Sequence, residues 1–541
     1  MSASYETEVV IAGGGLAAIA TAHELLTHGM RVLMIEKGPR ETWGGLARES
    51  FGGVHMIGTP HQKRMKIDDS PELALRDWLA CAQFGDNDHW PLEWAKFYCE
   101  NSIEYIFEYL DGNGVEFLPI VNWPERGLTT TYNTVPRWHI ALGTGSEIIA
   151  CAIAGLERHP GRERLEVLFE HEVSGFDITD GRATGVYGKR MDNGEEFRVT
   201  AEHVVIASGG ICGGDLSKVR ANWYADWGEP PEHLLNGSHI YADGMLHDRA
   251  AEVGARLTHL DKQWHYAAGV HHPAKRKPND GLSLVPPRSA LWVNALGQRI
   301  RTPWPLIPYS DTRHLVDSIV RQPGKYSWQV LNWKIAIKEL AVSGGAYMTA
   351  FRDKKKVRIL LDALFGNKAL IRRLIDECPD DIVVADNLRD LVAGMNERNL
   401  YGLQTDYDTL ASEIDYFDRM IRRGPKYHND DQLRWIANFR KYPGDRLRTC
   451  NFQPIDDPKA RPLIAIREFI LTRKSLGGIQ TDLGGRVLNT EGKAIPGLYA
   501  VGESAGFGGG GIHGIGSLEG TFLGGCVLTG RATARYIAKG A

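Results

Sequence analysis

The segment from Glu8 to Glu36 limits the possible folds more than any other part of the chain. Glu8-Val9-Val10-Ile11-Ala12 reads as a buried strand that runs into Gly13-Gly14-Gly15-Leu16-Ala17-Ala18. A helix is predicted from Leu16 to about His28, Gly29 ends it, and Arg31 to Glu36 reads as a second strand. This is a βαβ unit with a dinucleotide fingerprint in which Ala18 stands for the third glycine. Gly13 permits the tight turn, and Gly15 lets backbone approach a pyrophosphate. The first helical residues, Leu16 and Ala17, offer N–H groups and the positive dipole end to that anion. Glu36 follows Gly13 by 23 residues. A carboxylate there can accept hydrogen bonds from ribose hydroxyls and would repel a 2′-phosphate. Lys37 follows it at the same strand end.

The chain has 541 residues, more than one simple core accommodates, so two or more domains are expected. A formal net charge of −4 argues against nucleic acid as a partner. The seven cysteines are an odd, scattered set with no CxxC, a poor disulfide framework and a poor zinc or iron–sulfur site. No apolar run approaches the roughly 18 residues of a transmembrane helix, and the N-terminus lacks a signal-peptide pattern. The expectation is a cytoplasmic protein with reduced thiols, no metal and no integral membrane segment.

The segments beyond the βαβ unit separate FAD from NAD. Trp43-Gly44-Gly45, then Arg48, Ser50, Gly52 and Gly53 make a glycine-rich loop directly after the second strand. Flavin folds run such backbone along the pyrophosphate and ribityl chain. His203 to Ala207 forms a strand that ends in Ser208-Gly209-Gly210, and Ile495 to Val501 forms another that ends in Gly502-Glu503 before the glycine run 507–511. In this order the segments indicate FAD. The residues expected to contact it are Gly13, Gly15, Leu16, Ala17, Glu36, Lys37, Gly44, Gly45, Ser50, Gly52, Gly53, Val173, Ala207, Gly209, Gly502, Glu503, Ser517 and Leu518.

These motifs resemble the flavoprotein superfamily of fumarate reductases and 3-ketosteroid dehydrogenases, over roughly 1–265 and 446–541. A closer likeness, to bacterial FAD-binding dehydrogenases, rests on stretches such as "NWPERG", "TVPRWHIALGTG" and "SLEGTFLGGCVLTGR". The resemblance implies an α/β fold. A split Rossmann-type FAD domain (1–265 and 446–541) would carry an inserted α+β capping domain (266–445), with helices around 333–342 and 366–377. Substrate would lie between cap and flavin.

Several family positions differ. The arginine with which fumarate reductases grip a carboxylate corresponds to Ser517, and their histidine before a Gly-Gly pair corresponds to Lys474. Fumarate and succinate are therefore not expected as substrates. The tyrosine of the steroid dehydrogenases has no counterpart in 464–474, which leaves Tyr132 or Tyr309 as replacements. Thr312-Arg313 follows Val293-Asn294 at a family-like distance, so Arg313 is a candidate proton carrier, with a cap-surface salt bridge as the alternative. Segment 44–53 contains no His, so the flavin should be held non-covalently.

Trp123 to Gly127 and Pro136 to His139 are either a wall of the flavin pocket or a packed structural loop. His271-His272, followed by Pro273 to Lys277, reads as a solvated loop. His513 should contact the flavin. No second dinucleotide fold is visible, so an external electron acceptor or donor is implied. The expected activity is dehydrogenation, or the reverse reduction, of a carbon–carbon bond beside the carbonyl of a cyclic ketone or steroid-like small molecule. The alternatives are a flavin oxidase using O2, a reductase of unsaturated acids, and a non-catalytic flavoprotein.

Overall fold

A computed structural model describes residues 3–127, 133–301, 305–308 and 310–540. The βαβ opening forms as the pattern predicts. Strand Ala3–Ala12 pairs in parallel with Val32–Glu36 on one edge and with Glu196–Ile206 on the other. Leu165–Phe169 and Ala494–Ala500 extend this parallel sheet outward, so the N-terminal and C-terminal parts of the chain share one layer. A hairpin, His171–Thr179 and Arg182–Arg190, continues from Glu196–Ile206 in antiparallel fashion. Helix Leu16–Thr27 covers the sheet and packs against the C-terminal helix Thr521–Ala538. Small residues let the two approach: a Cβ on Gly530 would stand 2.6 Å from the Ala17 carbonyl oxygen.

A second eight-stranded sheet builds the other half of the molecule. Its axis is Leu463–Ser475, thirteen residues of which only Lys474 is less than fully buried. Tyr326–Asn332 pairs along one edge, while Gln263–His271 and Ile382–Ala385 share the other. The cap sheet thus takes its central strand from beyond residue 445, where the sequence suggested a return to the flavin domain. The physical reason is that a strand buried on both faces, here broken by Arg467-Glu468, shows no alternation that would assign it to one sheet or the other. The helices Trp333–Glu339 and Lys368–Glu377 fall near the expected stretches. The first stops early because Ala341–Val342 leaves the helix to pair with Leu284 and Val285. His271 closes a strand and bonds Asp381 through Nδ1 at 2.9 Å, and His272 is buried, so this pair is not the solvated loop expected.

Candidate active site

The glycine turn has the shape that a dinucleotide requires. Gly13 has φ +122°, and a Cβ there would lie 2.2 Å from the Ala207 carbonyl oxygen. A Cβ on Gly15 would meet nothing within 4 Å, so the N-terminus of helix Leu16–Thr27 opens onto free space, with no side chain capping it. The Glu36 carboxylate accepts the Gly38 N–H at 2.7 Å and closes on Gly14, where a Cβ would be 2.6 Å from its Oε2. Burial raises its pKa. Ala207 donates its N–H to the Ala12 carbonyl at 2.8 Å, which fixes the adjoining strand end.

Gly44 and Gly45 lie beside Gly15 in left-handed conformations. Gly52 sits on the start of helix Thr144–Glu157, and Gly53 abuts Trp138, whose ring a Cβ would penetrate at 1.9 Å. The Ser50 hydroxyl turns back to Ala47 at 2.7 Å. On the opposite side the Ser504 hydroxyl donates to the Gly209 carbonyl at 3.0 Å, which ties the two distant motifs together. Glu503, beside Gly502, is buried and accepts the Ser475 N–H at 2.8 Å; desolvation pushes its pKa up to about 7. Ser517 and Leu518 lead into the C-terminal helix, where the Ser517 and Thr521 hydroxyls are 3.0 Å apart. Not every cofactor candidate is equally placed. The Lys37 ammonium is ion-paired with Glu172 and Asp243, and Val173 is a buried strand residue beside that pair.

A cavity of about 1160 Å³ runs from the glycine loop, past Glu503 and Cys526, to the cap. Its walls include Phe51, Trp138, Leu284, Trp292, Phe507 and Phe522. Into this apolar space two paired strands of the second sheet and the turn before the C-terminal helix deliver one connected set of polar groups. The Tyr266 hydroxyl donates to Glu519 at 3.0 Å and accepts from Lys474 Nζ, also at 3.0 Å. Lys474 Nζ lies 3.8 Å from the centre of the Phe522 ring. Burial pulls the lysine pKa down to about 8, against the attraction of the Glu519 carboxylate. Burial and the same carboxylate raise the Tyr266 pKa well above its ordinary value.

Glu125 is a further buried carboxyl on the wall. Its backbone is left-handed (φ +48°), uncommon for a residue with a side chain. It accepts the Thr312 N–H at 3.1 Å, and burial next to Glu519 raises its pKa far above the carboxylate range.

Of the four catalytic candidates, Lys474 stands in the cavity. Tyr132 and Tyr309 lie outside the described residues. Arg313 is elsewhere: its guanidinium stacks 4.5 Å from the Tyr224 ring centre and 5.1 Å from that of Trp227, and Nη1 donates to the Ile515 carbonyl at 3.2 Å. The loop 122–140 divides between both readings. Glu125 and Trp138 line the cavity, while Arg137 is wholly buried between Asp69 and Asp77. His513 is buried against Trp78, Phe507 and Phe522, with Nε2 2.8 Å from the Thr521 hydroxyl. Sequence reasoning did not single out Tyr266, Glu519 or Glu125 for the chemistry. Glu519 follows the Ser517-Leu518 pair expected at the cofactor, and Glu125 lies in the Trp123–Gly127 segment read as a possible pocket wall, whereas Tyr266 had no local signal.

The model of the FAD binding domain family matches residues 8–523. The chain belongs to this family. It is an FAD-dependent dehydrogenase, and the glycine turn, Glu36 and the open helix end fit that cofactor. It is 38% identical to a KsdD-like steroid dehydrogenase of Mycobacterium tuberculosis over 98% of its own length and 96% of the relative's. It is also 38% identical to a KsdD-like steroid dehydrogenase of Mycolicibacterium smegmatis, over 96% of both. In fold it is similar to the 3-ketosteroid delta1-dehydrogenase from Sterolibacterium denitrificans, solved in complex with 1,4-androstadiene-3,17-dione. The TM-score is 0.70 at 17% identity, covering 99% of this chain and 100% of that one. A flavocytochrome c3 fumarate reductase gives a TM-score of 0.66 at 19% identity, over 99% and 79%. No helix among the described residues is long and apolar enough to cross a membrane, and none of their side-chain clusters is suited to a metal ion.

Glu36→Ala should weaken FAD retention by about 1–3 kcal/mol, because a hydrogen-bond acceptor at a buried site is lost. Titration of the apoprotein with FAD measures it. An unchanged affinity removes Glu36 from the cofactor site.

Proposed function

We propose that the protein removes two hydrogens from the carbon–carbon bond beside the carbonyl of a steroid-like ketone, with Tyr266, Lys474 and Glu519 handling the proton. The carrying observation is the connected, half-buried chain Lys474–Tyr266–Glu519 at one place in a largely apolar cavity. FAD, bound non-covalently, supplies the hydride-accepting chemistry. The chain's own residues supply the rest. Aromatic and aliphatic walls bind a large neutral ring system and exclude water. Tyr266 takes the proton from the carbon next to the carbonyl as its own proton passes to Glu519, so one proton leaves the substrate and one arrives on the carboxylate. The Lys474 ammonium holds the negative charge that develops at Tyr266 and on the enolate-like substrate. The KsdD-like relatives at 38% identity support the steroid class. An external acceptor then reoxidises the flavin.

The surroundings of Ser517 and Arg473 point the same way. Ser517 is engaged by Thr521, and the Arg473 guanidinium, on the cavity wall, donates to the Gly237 carbonyl. The test is anaerobic mixing of the holoenzyme with a panel of ketosteroids, enones and short dicarboxylic acids, followed by the loss of oxidised-flavin absorbance. Ketosteroids should reduce the flavin. Succinate should not, and fumarate should reoxidise the reduced enzyme poorly. Turnover of fumarate at a rate comparable to a ketosteroid would overturn the substrate assignment and make Arg473 the carboxylate contact.

A further inference from the structure

Helix Lys356–Phe365 is the one helix of eight or more residues in which no described residue is fully buried. Its sequence is not that of a solvated helix. Val357, Leu360, Leu361, Leu364 and Phe365 recur at spacings of three and four, which places them on one face. All five are exposed, Val357 by 74% and Phe365 by 70%. Single exposed apolar residues are ordinary, but a contiguous apolar stripe on a surface helix marks a place where something docks.

Two further observations identify the occupant. The first is charge. Between residues 352 and 373 the chain carries Arg352, Lys354, Lys355, Lys356, Arg358, Lys368, Arg372 and Arg373 against Asp353 and Asp362, in a protein whose overall charge is −4. Carboxylates answer part of this: Asp353 pairs with Arg352 and Lys355, Asp362 with Arg358, and from outside the segment Glu116 pairs with Lys356, Glu147 with Lys354 and Glu377 with Arg373. The balance around the stripe remains positive. A second copy of the chain would bring two such basic faces together. The second observation is continuity. Lys356, Ile359, Leu360, Asp362 and Ala363 of this helix line the same cavity that reaches Lys474 and Tyr266. The apolar stripe therefore borders the mouth of the site.

We infer that helix Lys356–Phe365 docks the protein on an anionic lipid surface, with its apolar stripe among the acyl chains, its basic residues at the headgroups and the cavity mouth facing the bilayer. An amphipathic helix of this kind lies in the interface plane, held by buried apolar area and by attraction to anionic headgroups. A lipid surface is also where a sparingly soluble ring ketone collects, so the substrate would enter without crossing water. The purpose of the device rests on the proposed substrate class; its detection does not.

The test is sedimentation of the holoenzyme with sucrose-loaded vesicles of phosphatidylcholine alone or of phosphatidylcholine with phosphatidylglycerol. Binding is expected with the anionic vesicles, weakened by salt and by the pair Val357→Ser with Phe365→Ser by about tenfold or more. These two residues do not line the cavity, so flavin reduction by a detergent-dispersed ketosteroid should be the same in the variant. Retention in the supernatant with both vesicle types would overturn the inference, as would vesicle binding that the double variant leaves intact. A concentration-dependent dimer that the double variant abolishes, without vesicle binding, would assign the stripe to a second copy instead. If vesicles bind but no ketosteroid reduces the flavin, the docking helix stands and the substrate assignment falls.

Discussion

Tyr266→Phe should slow substrate-dependent flavin reduction by about 10²–10⁴-fold, the usual scale for losing a positioned acid–base group. The substitution removes one oxygen and little else. The hydroxyl it deletes joins Lys474 Nζ, at 3.0 Å, to the Glu519 carboxylate, at 3.0 and 3.2 Å. The ring stays, and with it the packing beneath the ammonium, which lies 5.2 Å from the Tyr266 ring centre and 3.8 Å from that of Phe522. FAD content should not change, because the proposed cofactor cradle, Gly13, Gly15, Glu36 and the loop at 44–53, does not include the strand that carries Tyr266. Anaerobic stopped-flow mixing with a ketosteroid measures the rate, and flavin absorbance against protein measures the content. A wild-type rate would show that Tyr266 is a cavity wall and nothing more, and would return the proton to another group on that wall, with Glu125 the first to test.

The FAD fold and its glycine turn were legible because their determinants are local. Strand, glycine turn, helix and second strand follow each other within Glu8 to Glu36, and the turn meets a steric demand that the fold confirms where Gly13 passes the Ala207 carbonyl. The proposed catalytic set was not, because its parts are far apart in the chain. Tyr266 and Lys474 are separated by 208 residues. They meet only through the pairing of Gln263–His271 with Leu463–Ser475, in which Trp264 opposes Lys474 and a bulge follows. No spacing within either strand announces that pairing. The stretch 464–474 holds no tyrosine, and the one proposed here, Tyr266, stands on the neighbouring strand. Arg313 illustrates the converse case, in which spacing names a residue and the fold sets its surroundings. A family-like interval set it beyond Val293-Asn294, but helix Thr312–Val320 begins there, capped by Asp311, and turns the guanidinium onto Tyr224 and Trp227. Thr312 at the same helix start faces the cavity instead and holds Glu125.

Lys474→Met tests the charge rather than the proton carrier, and pH separates the two. Burial holds the lysine near a pKa of about 8, so at neutral pH it is mostly an ammonium and above that pH it becomes a neutral amine. If the positive charge stabilises the transition state, the wild-type rate falls as the pH rises through about 8. The Met variant should be slower at neutral pH, on the order of 10²-fold for a lost electrostatic contact in a water-poor site. It should also lack the fall near pH 8, because the titrating amine is gone. Lys474→Arg keeps its charge throughout that range and should hold its rate where the wild type declines. Stability distinguishes this from a structural defect. A folded-state pKa below the ordinary lysine value means that the unfolded chain binds the proton more tightly. The wild-type fold is therefore penalised at neutral pH and gains stability only as the pH climbs above the folded value. Met removes that desolvation penalty, so the variant should melt no lower than the wild type while turning over far more slowly. A Met variant that keeps both the wild-type rate and the wild-type alkaline fall would take Lys474 out of the reaction and leave the Tyr266–Glu519 pair to act without a cation.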